Sequence, residues 1–278
     1  MKLQTVDFPF RILTPTFCGG ADNQAPAELR PPSIRGQVRF WHRVLFGDAS
    51  RDAVWGSSAG NGTGSKVALV LDRPFAKGET KERLLPHCDA NSTDKQEKKK
   101  AESRRSAVSA GLRFNLTLQR LVSCSNDDWE GAQKAVKLWL LLGTLGLRST
   151  RAAGSVWPEG DWVPQTPDAL KATLHSLGLT QWGVALVGLS VGKGTEDLRK
   201  TASDTISGNP HRHIFGGIHP QRTPSPTKFK AIGLGAQFCL LACAPSAAIL
   251  REAERLLLAK REPRQRWKVL GSWRHLLP

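Results

Sequence analysis

Between Leu112 and Gln119 the chain alternates without a break. Leu112, Phe114, Leu116 and Leu118 are apolar, while Arg113, Asn115, Thr117 and Gln119 are polar. Successive strand residues point to opposite faces, so this segment demands a sheet with one buried face and one wetted face. Such a sheet has to be covered, and helices of matching pattern flank it. Pro31-Pro32 precede Ser33, a helix cap, and from Ile34 to about Phe46 the apolar residues Ile34, Val38, Trp41 and Leu45 recur at helical spacing. A second helix is predicted over 129–142, with Asp127 and Glu130 at capping-box spacing and Gly143 and Gly146 at its end. Strands are predicted over 3–14, 66–71 and from Ser155 to Trp157, with a connector over 158–167.

The second half repeats this order in weaker form. Val184–Val187 and 213–218 are short apolar pieces, and Lys228–Ala242 reads as a hairpin around Gly233 and Gly235. Ser246 can cap a closing helix through Lys260 with Ile249, Ala253, Leu256 and Leu257 inward. Strand–helix–strand units in pairs point to an α+β protein of two ferredoxin-like domains, 1–160 and 161–278. The run from Lys77 to Ser109 breaks the pattern. Lys95–Arg105 carries many charges and little to bury, which predicts a flexible basic insertion.

Charge bears on partners instead of fold. Forty Lys and Arg against 24 Asp and Glu leave +16 over 278 residues, which favours polyanions: nucleic acid first, acidic membrane second. No apolar run is long enough for a membrane span, since Leu234–Leu250 is broken by Gln237, Pro245 and Ser246. No export signal is apparent either, because Asp7, Pro9 and Arg11 interrupt the start. Five scattered cysteines with no CxxC pair fit a reducing compartment, so a cytoplasmic protein is expected.

Four groups of residues carry candidate chemistry. Arg30, Arg35, Arg39, and His42 or Arg43 form a basic ladder on the helix after Pro32, suited to successive phosphates; the alternative is a solvated helix flank. Gly143–Gly154 joins small residues to Arg148 and Arg151, a loop that lets a ligand approach the backbone. No GKS or GKT follows, which argues against a nucleoside triphosphate site. His211 and His213, with His219 nearby, would share one strand face and suit a metal, a general base, an RNA contact or a structural role. Asp22, on the loop after the first strand, suits a divalent ion or plain turn chemistry. No G-x-S-x-G elbow supports a serine hydrolase.

The block Thr14-Pro-Thr-Phe-Cys-Gly-Gly-Ala-Asp22-Asn-Gln, followed by Ala27-Glu-Leu-Arg30-Pro-Pro-Ser-Ile-Arg35-Gly-Gln-Val-Arg39-Phe-Trp-His-Arg43, resembles the opening of CRISPR RAMP proteins. The similarity is closest to the first RAMP subunit of type III-B (Cmr) effectors. Leu138–Trp157 is similar to the family's glycine-rich segment, and Pro224-Ser-Pro226 through Lys230 to its late serine-proline turn. The resemblance implies paired ferredoxin-like folds and a non-enzymatic subunit at one end of a ribonucleoprotein. It implies partners too: CRISPR RNA, target RNA and other RAMP subunits, with no cofactor and no membrane. RNA contacts are then expected at Arg30, Arg35, Arg39, Arg43, Arg148 and Arg151, and further along at Arg212, Lys228 and Lys230. The Asp22 loop is also similar to a loop of backbone RAMP subunits in which an aspartate cleaves target RNA. That leaves a metal-dependent endoribonuclease, or one using a histidine base, as the alternative.

Overall fold

The computed structural model describes residues 3–19, 26–73, 79–86, 88, 91–187, 194–206, 211–217, 221–259 and 273–277. Asp22 and His219 lie outside them. The first half runs β1 (Thr5–Ile12), α1 (Pro31–Trp55), β2 (Val67–Leu71), β3 (Glu79–Arg83), α2 (Lys95–Glu102), β4 (Arg104–Val108), β5 (Arg113–Arg120), α3 (Asn126–Leu142) and β6 (Val156–Pro158). The second runs α4 (Pro167–Ser176), β7 (Gly183–Leu186), α5 (Thr195–Ile206), α6 (Arg212–Phe215), β8 (Lys228–Leu234), β9 (Gln237–Ala244), α7 (Ala247–Ala259) and β10 (Arg274–Leu277).

Two four-stranded antiparallel sheets form, in the orders β2-β5-β1-β6 and β10-β7-β9-β8. Setting β3–β4 aside, each sheet has βαββαβ connectivity with its outer strands crossed over, the ferredoxin-like arrangement. The alternating strand β5 sits centrally as its pattern requires, pairing β1 from Thr5↔Gln119 to Arg11↔Arg113 and β2 from Val67↔Arg120 to Leu71↔Leu116. Phe8, Phe10 and Ile12 join Phe114, Leu116 and Leu118 on the buried face, under Ile34, Val38 and Trp41 of α1 and Val136 and Trp139 of α3. The second sheet is buried on both faces. Val184, Leu186, Ile232 and Leu241 join the first core, while Ala185, Phe229, Leu240 and Ala242 pack with Leu198, Phe215, Leu250 and Leu257 of the surrounding helices. Double burial explains why β7 and β9 read as continuous apolar runs without alternation.

Several expectations are corrected. The segment expected as a flexible basic insertion carries secondary structure among its described residues: β3 and β4 pair from Glu79↔Val108 to Arg83↔Arg104, with α2 between them. Asp94 caps α2 by accepting from Gln96 N–H, and Ala101, Ala107 and Val108 are buried. Thr16 and Val108 exchange two backbone bonds of 3.0 Å, which fastens the hairpin to the chain after β1. Helix α1 runs on to Trp55 across a bend at Gly47, whose φ of 83° suits glycine. The capping box of α3 is Ser125 with Asp128, two residues before the predicted pair. His211-Arg212-His213 opens a short helix instead of lying on a strand. Helices α4 and α5 and strand β10 were not foreseen.

His42 yields a pH prediction. It is 1% exposed, lies beside Phe46 and Trp55, and has Nε2 3.1 Å from Ser50 Oγ. Burial pushes its pKa down from 6.5 to about 4, against a smaller upward pull from Asp128. The fold therefore holds it neutral while the unfolded chain can protonate it. The resulting stability is present above pH 6.5 and lost as pH falls through the window down to about 4. The loss is on the order of 3–4 kcal/mol at roughly 1.4 kcal/mol per unit. Urea unfolding across that window should show a steeper loss for the wild type than for His42→Gln. Parallel curves would remove His42 as the cause.

Candidate nucleic-acid interface

The turn after α3 is the most constrained backbone in the described structure. Gly146 and Gly154 have φ of 77° and 62°, and a Cβ at Gly154 would sit 1.8 Å from Leu145 O, so neither position tolerates a side chain. Two non-glycine residues share this conformation, Arg148 at φ 57° and Ala152 at φ 58°. Left-handed backbone at such residues costs roughly 1–2 kcal/mol and persists only where the surroundings impose it. Here they do. Leu147 N–H donates to Phe17 O at 3.0 Å, Gly154 N–H to Pro15 O at 3.0 Å, and Thr144 Oγ1 to Ser149 O at 2.9 Å. The turn is locked to the chain that leaves β1 and stands beside the β3–β4 hairpin.

This frame brings Arg148 and Arg151 together. Burial pushes Arg148 down to about 10, with Arg151 adding like-charge repulsion, Cys88 opposing it and Arg199 contributing further repulsion. Burial lowers Arg151 too. Among the described residues neither guanidinium has a hydrogen bond or a carboxylate partner. Arg199 differs: only 1% exposed, it donates twice to Glu196 at 2.6 and 2.7 Å and once to Arg83 O at 3.0 Å, over the Phe17 ring. One arginine is neutralised and structural. Two half-buried arginines remain poised for an anion. Beside them Leu147, 49% exposed, lines a shallow cleft with Phe17, Ala27 and Arg105. Arg105 leads on to Lys98, Lys99 and Lys100, all exposed on α2. Leu147 and Arg199 were not singled out from sequence, although Leu147 stood between two flagged residues, and Arg105 entered only as the end of the basic run.

The other sequence candidates are placed differently. Arg35 donates to Trp55 O and Arg39 to Asp52 at 3.1 Å, so both clasp the returning arm of α1 beyond its bend. Arg30 pairs with Glu28 at 3.2 Å. Arg43 is exposed, 5.3 Å over Phe40. Lys228 has its amine 3.9 Å from the Phe40 ring centre and near Trp41 and Trp182, and burial lowers its pKa. Lys230 is 1% exposed and donates to Leu140 O at 2.6 Å, so no surface is left on it, and burial holds it well below the usual lysine range. Arg212 braces the following loop by donating to Gln221 O and, at 3.0 Å, to Thr223 Oγ1. His211 and His213 have ring centres 6.1 Å apart. Among the described residues no three His, Cys, Asp or Glu side chains are grouped to hold a metal, and no helix is long and apolar enough to cross a membrane.

Comparison with solved structures finds the same fold in proteins of low identity. Cmr1 from Pyrococcus furiosus, in its apo form, superposes with a TM-score of 0.60 at 19% identity, covering 88% of each chain. A chain of the type III-B Cmr-beta complex bound to cognate target RNA gives 0.56 at 12% identity, over 92% of this chain and 99% of that one. A chain of the Cmr-beta complex bound to cognate target RNA and AMPPnP in the presence of ssDNA gives 0.55 at 13%, with the same coverage. No curated protein sequence matches significantly. The family model for the RAMP superfamily matches residues 10–157, more than half of the chain. That span holds α1, the β3–β4 hairpin, α3 and the glycine turn with Arg148 and Arg151, and by it the chain belongs to the RAMP superfamily.

Proposed function

We propose that this chain is an RNA-binding, non-catalytic subunit of a type III CRISPR ribonucleoprotein, acting in the cytoplasm. It would contact guide or target RNA and cap one end of the assembly beside other RAMP subunits. The observation that carries this reading is the Arg148–Arg151 pair, two partly buried guanidiniums held on a locked turn with no carboxylate partner among the described residues. RNA phosphates supply the missing anions, and exposed Leu147 offers an apolar surface to a base. Membership of the RAMP superfamily and the fold shared with Cmr-beta chains from complexes bound to target RNA support it further.

Replacing Arg148 and Arg151 with Ala together should weaken single-stranded RNA binding about ten-fold or more. The slope of log affinity against log salt should flatten by roughly 1.4, because two phosphate contacts are lost. Melting temperature should hold or rise, since two repelling, desolvated cations are removed. Arg35→Ala with Arg39→Ala should behave in reverse, lowering melting temperature and sparing affinity. A swap of these two outcomes would move the interface to α1.

Cleavage is assigned to other subunits. Asp22→Ala in an assembled effector should therefore leave the pattern and rate of target-RNA cutting unchanged. Loss of one cut site with RNA still bound would make this chain a nuclease.

A further inference from the structure

The two sheets meet along the outer edge of β8, where backbone donors face outward at every second residue. Phe229 N–H donates to Thr150 O at 3.1 Å and Ala231 N–H to Ser155 Oγ at 3.0 Å. Gly233 comes next in that rhythm, and no described residue accepts from its N–H. The seam opens there instead into a cleft of about 200 Å³, lined by Arg11, Trp157, Glu159, Gly160, Gln165, Gly233 and Gly235.

Arg11 is the unusual member. It stands directly opposite Arg113 on β5 and Trp157 on β6. Like charges directly opposite on paired strands repel and call for a counter-ion. The cleft's carboxylate answers only one of them: Arg113 Nε donates to both oxygens of Glu159, at 2.9 and 3.1 Å. Arg11 has no carboxylate or hydrogen-bond partner among the described residues. Its Nε is sealed from solvent without an acceptor, and its guanidinium carbon lies 5.8 Å from the Phe238 ring centre. Glycine keeps the space open, because a Cβ at Gly233 would come within 3.3 Å of Arg11 Nη2 and 3.6 Å of the Trp157 indole.

We propose that this cleft binds a small oxyanion, a phosphate or carboxylate group, between the Arg11 guanidinium and the Gly233 amide. A guanidinium fork beside a free backbone N–H is a recurrent way of holding such a group. The cleft lies several residues along β8 from the Arg148–Arg151 site, and the proposal stands independently of the RNA reading.

The test titrates inorganic phosphate, and separately acetate, into the full chain while NMR follows the Gly233 amide and the Arg11 Nε–H. At least one anion should shift both signals saturably, with half-saturation below about 10 mM. Phosphate alone, acetate alone or both would each support the site and identify its class. Arg11→Met should abolish the shifts while leaving RNA affinity intact. Gly233→Ala, which keeps the arginine and fills the space, should weaken binding about ten-fold by this crowding. Absence of saturable shifts, or their survival in Arg11→Met, would overturn the proposal. So would a loss of RNA affinity in Arg11→Met as large as that from the Arg148 and Arg151 changes, which would make the cleft part of the RNA track.

Discussion

A small buried network around Thr14 and Ser155 holds the two halves in register. Thr14 Oγ1 donates to Ala152 O at 2.6 Å and accepts from Ser155 N–H at 2.9 Å. Ser155 Oγ donates to Ala152 O at 2.9 Å and accepts from Ala231 N–H at 3.0 Å. Both residues are completely buried. Two hydroxyls thus join the end of β1, the glycine turn and the edge of β8. Each bond contributes only about 1 kcal/mol net, but removing one hydroxyl would strand its partners in a dry interior at roughly 1–3 kcal/mol each. The left-handed Arg148 and Ala152 conformations depend on this frame, as does the placing of the arginine pair.

The same seam explains why the second sheet is so apolar. Its outer side carries α5, α6 and α7, and its inner side closes the first core, so β9 is wetted only near its turn. Lys228 and Lys230 face inward on β8. A buried amine there needs a partner, and Lys230 finds one at the carboxyl end of α3, where it donates to the Leu140 carbonyl and the helix dipole offsets part of the cost of burial. Lys228 finds aromatic faces instead. Two residues that look like surface cations in the sequence become fittings of the interior.

Legibility followed periodicity. The alternation at 112–119, the stripe of α1 and the capped helix α7 all carry strong patterns, and each formed within a few residues of its expected bounds, apart from the extension of α1 beyond Gly47. Elements anchored by few or small side chains left little trace. Helix α4 buries Leu170 and Leu174 alone, and the β3–β4 hairpin is secured by Ala101, Ala107, Val108 and two backbone bonds to Thr16. Alanine burial and backbone pairing do not show in a hydropathy pattern. The glycine turn was legible as a special backbone because glycine spacing reports backbone geometry directly. The internal partners of the ladder on α1 were hidden from sequence for a definable reason: its acceptors, Asp52 and the Trp55 carbonyl, return only through the bend at Gly47.

Net charge alone therefore says little about which cations meet a polyanion. What matters is whether folding leaves a cation's counter-ion outside. Arg199 and Arg148 share one neighbourhood, yet Glu196 lies three residues before Arg199 on α5 and satisfies it, whereas Arg148 emerges from a turn with no carboxylate partner among the described residues. Holding Arg148 and Arg151 close together, half-desolvated and unpaired, costs stability in the free protein. On the RNA-binding reading proposed for this chain, an arriving phosphate would relieve that cost and meet guanidiniums whose backbone is already fixed by Phe17, Pro15 and Ser155. Little ordering would then remain to oppose binding, and the proposed interface would concentrate affinity on two residues instead of spreading it over the whole basic surface.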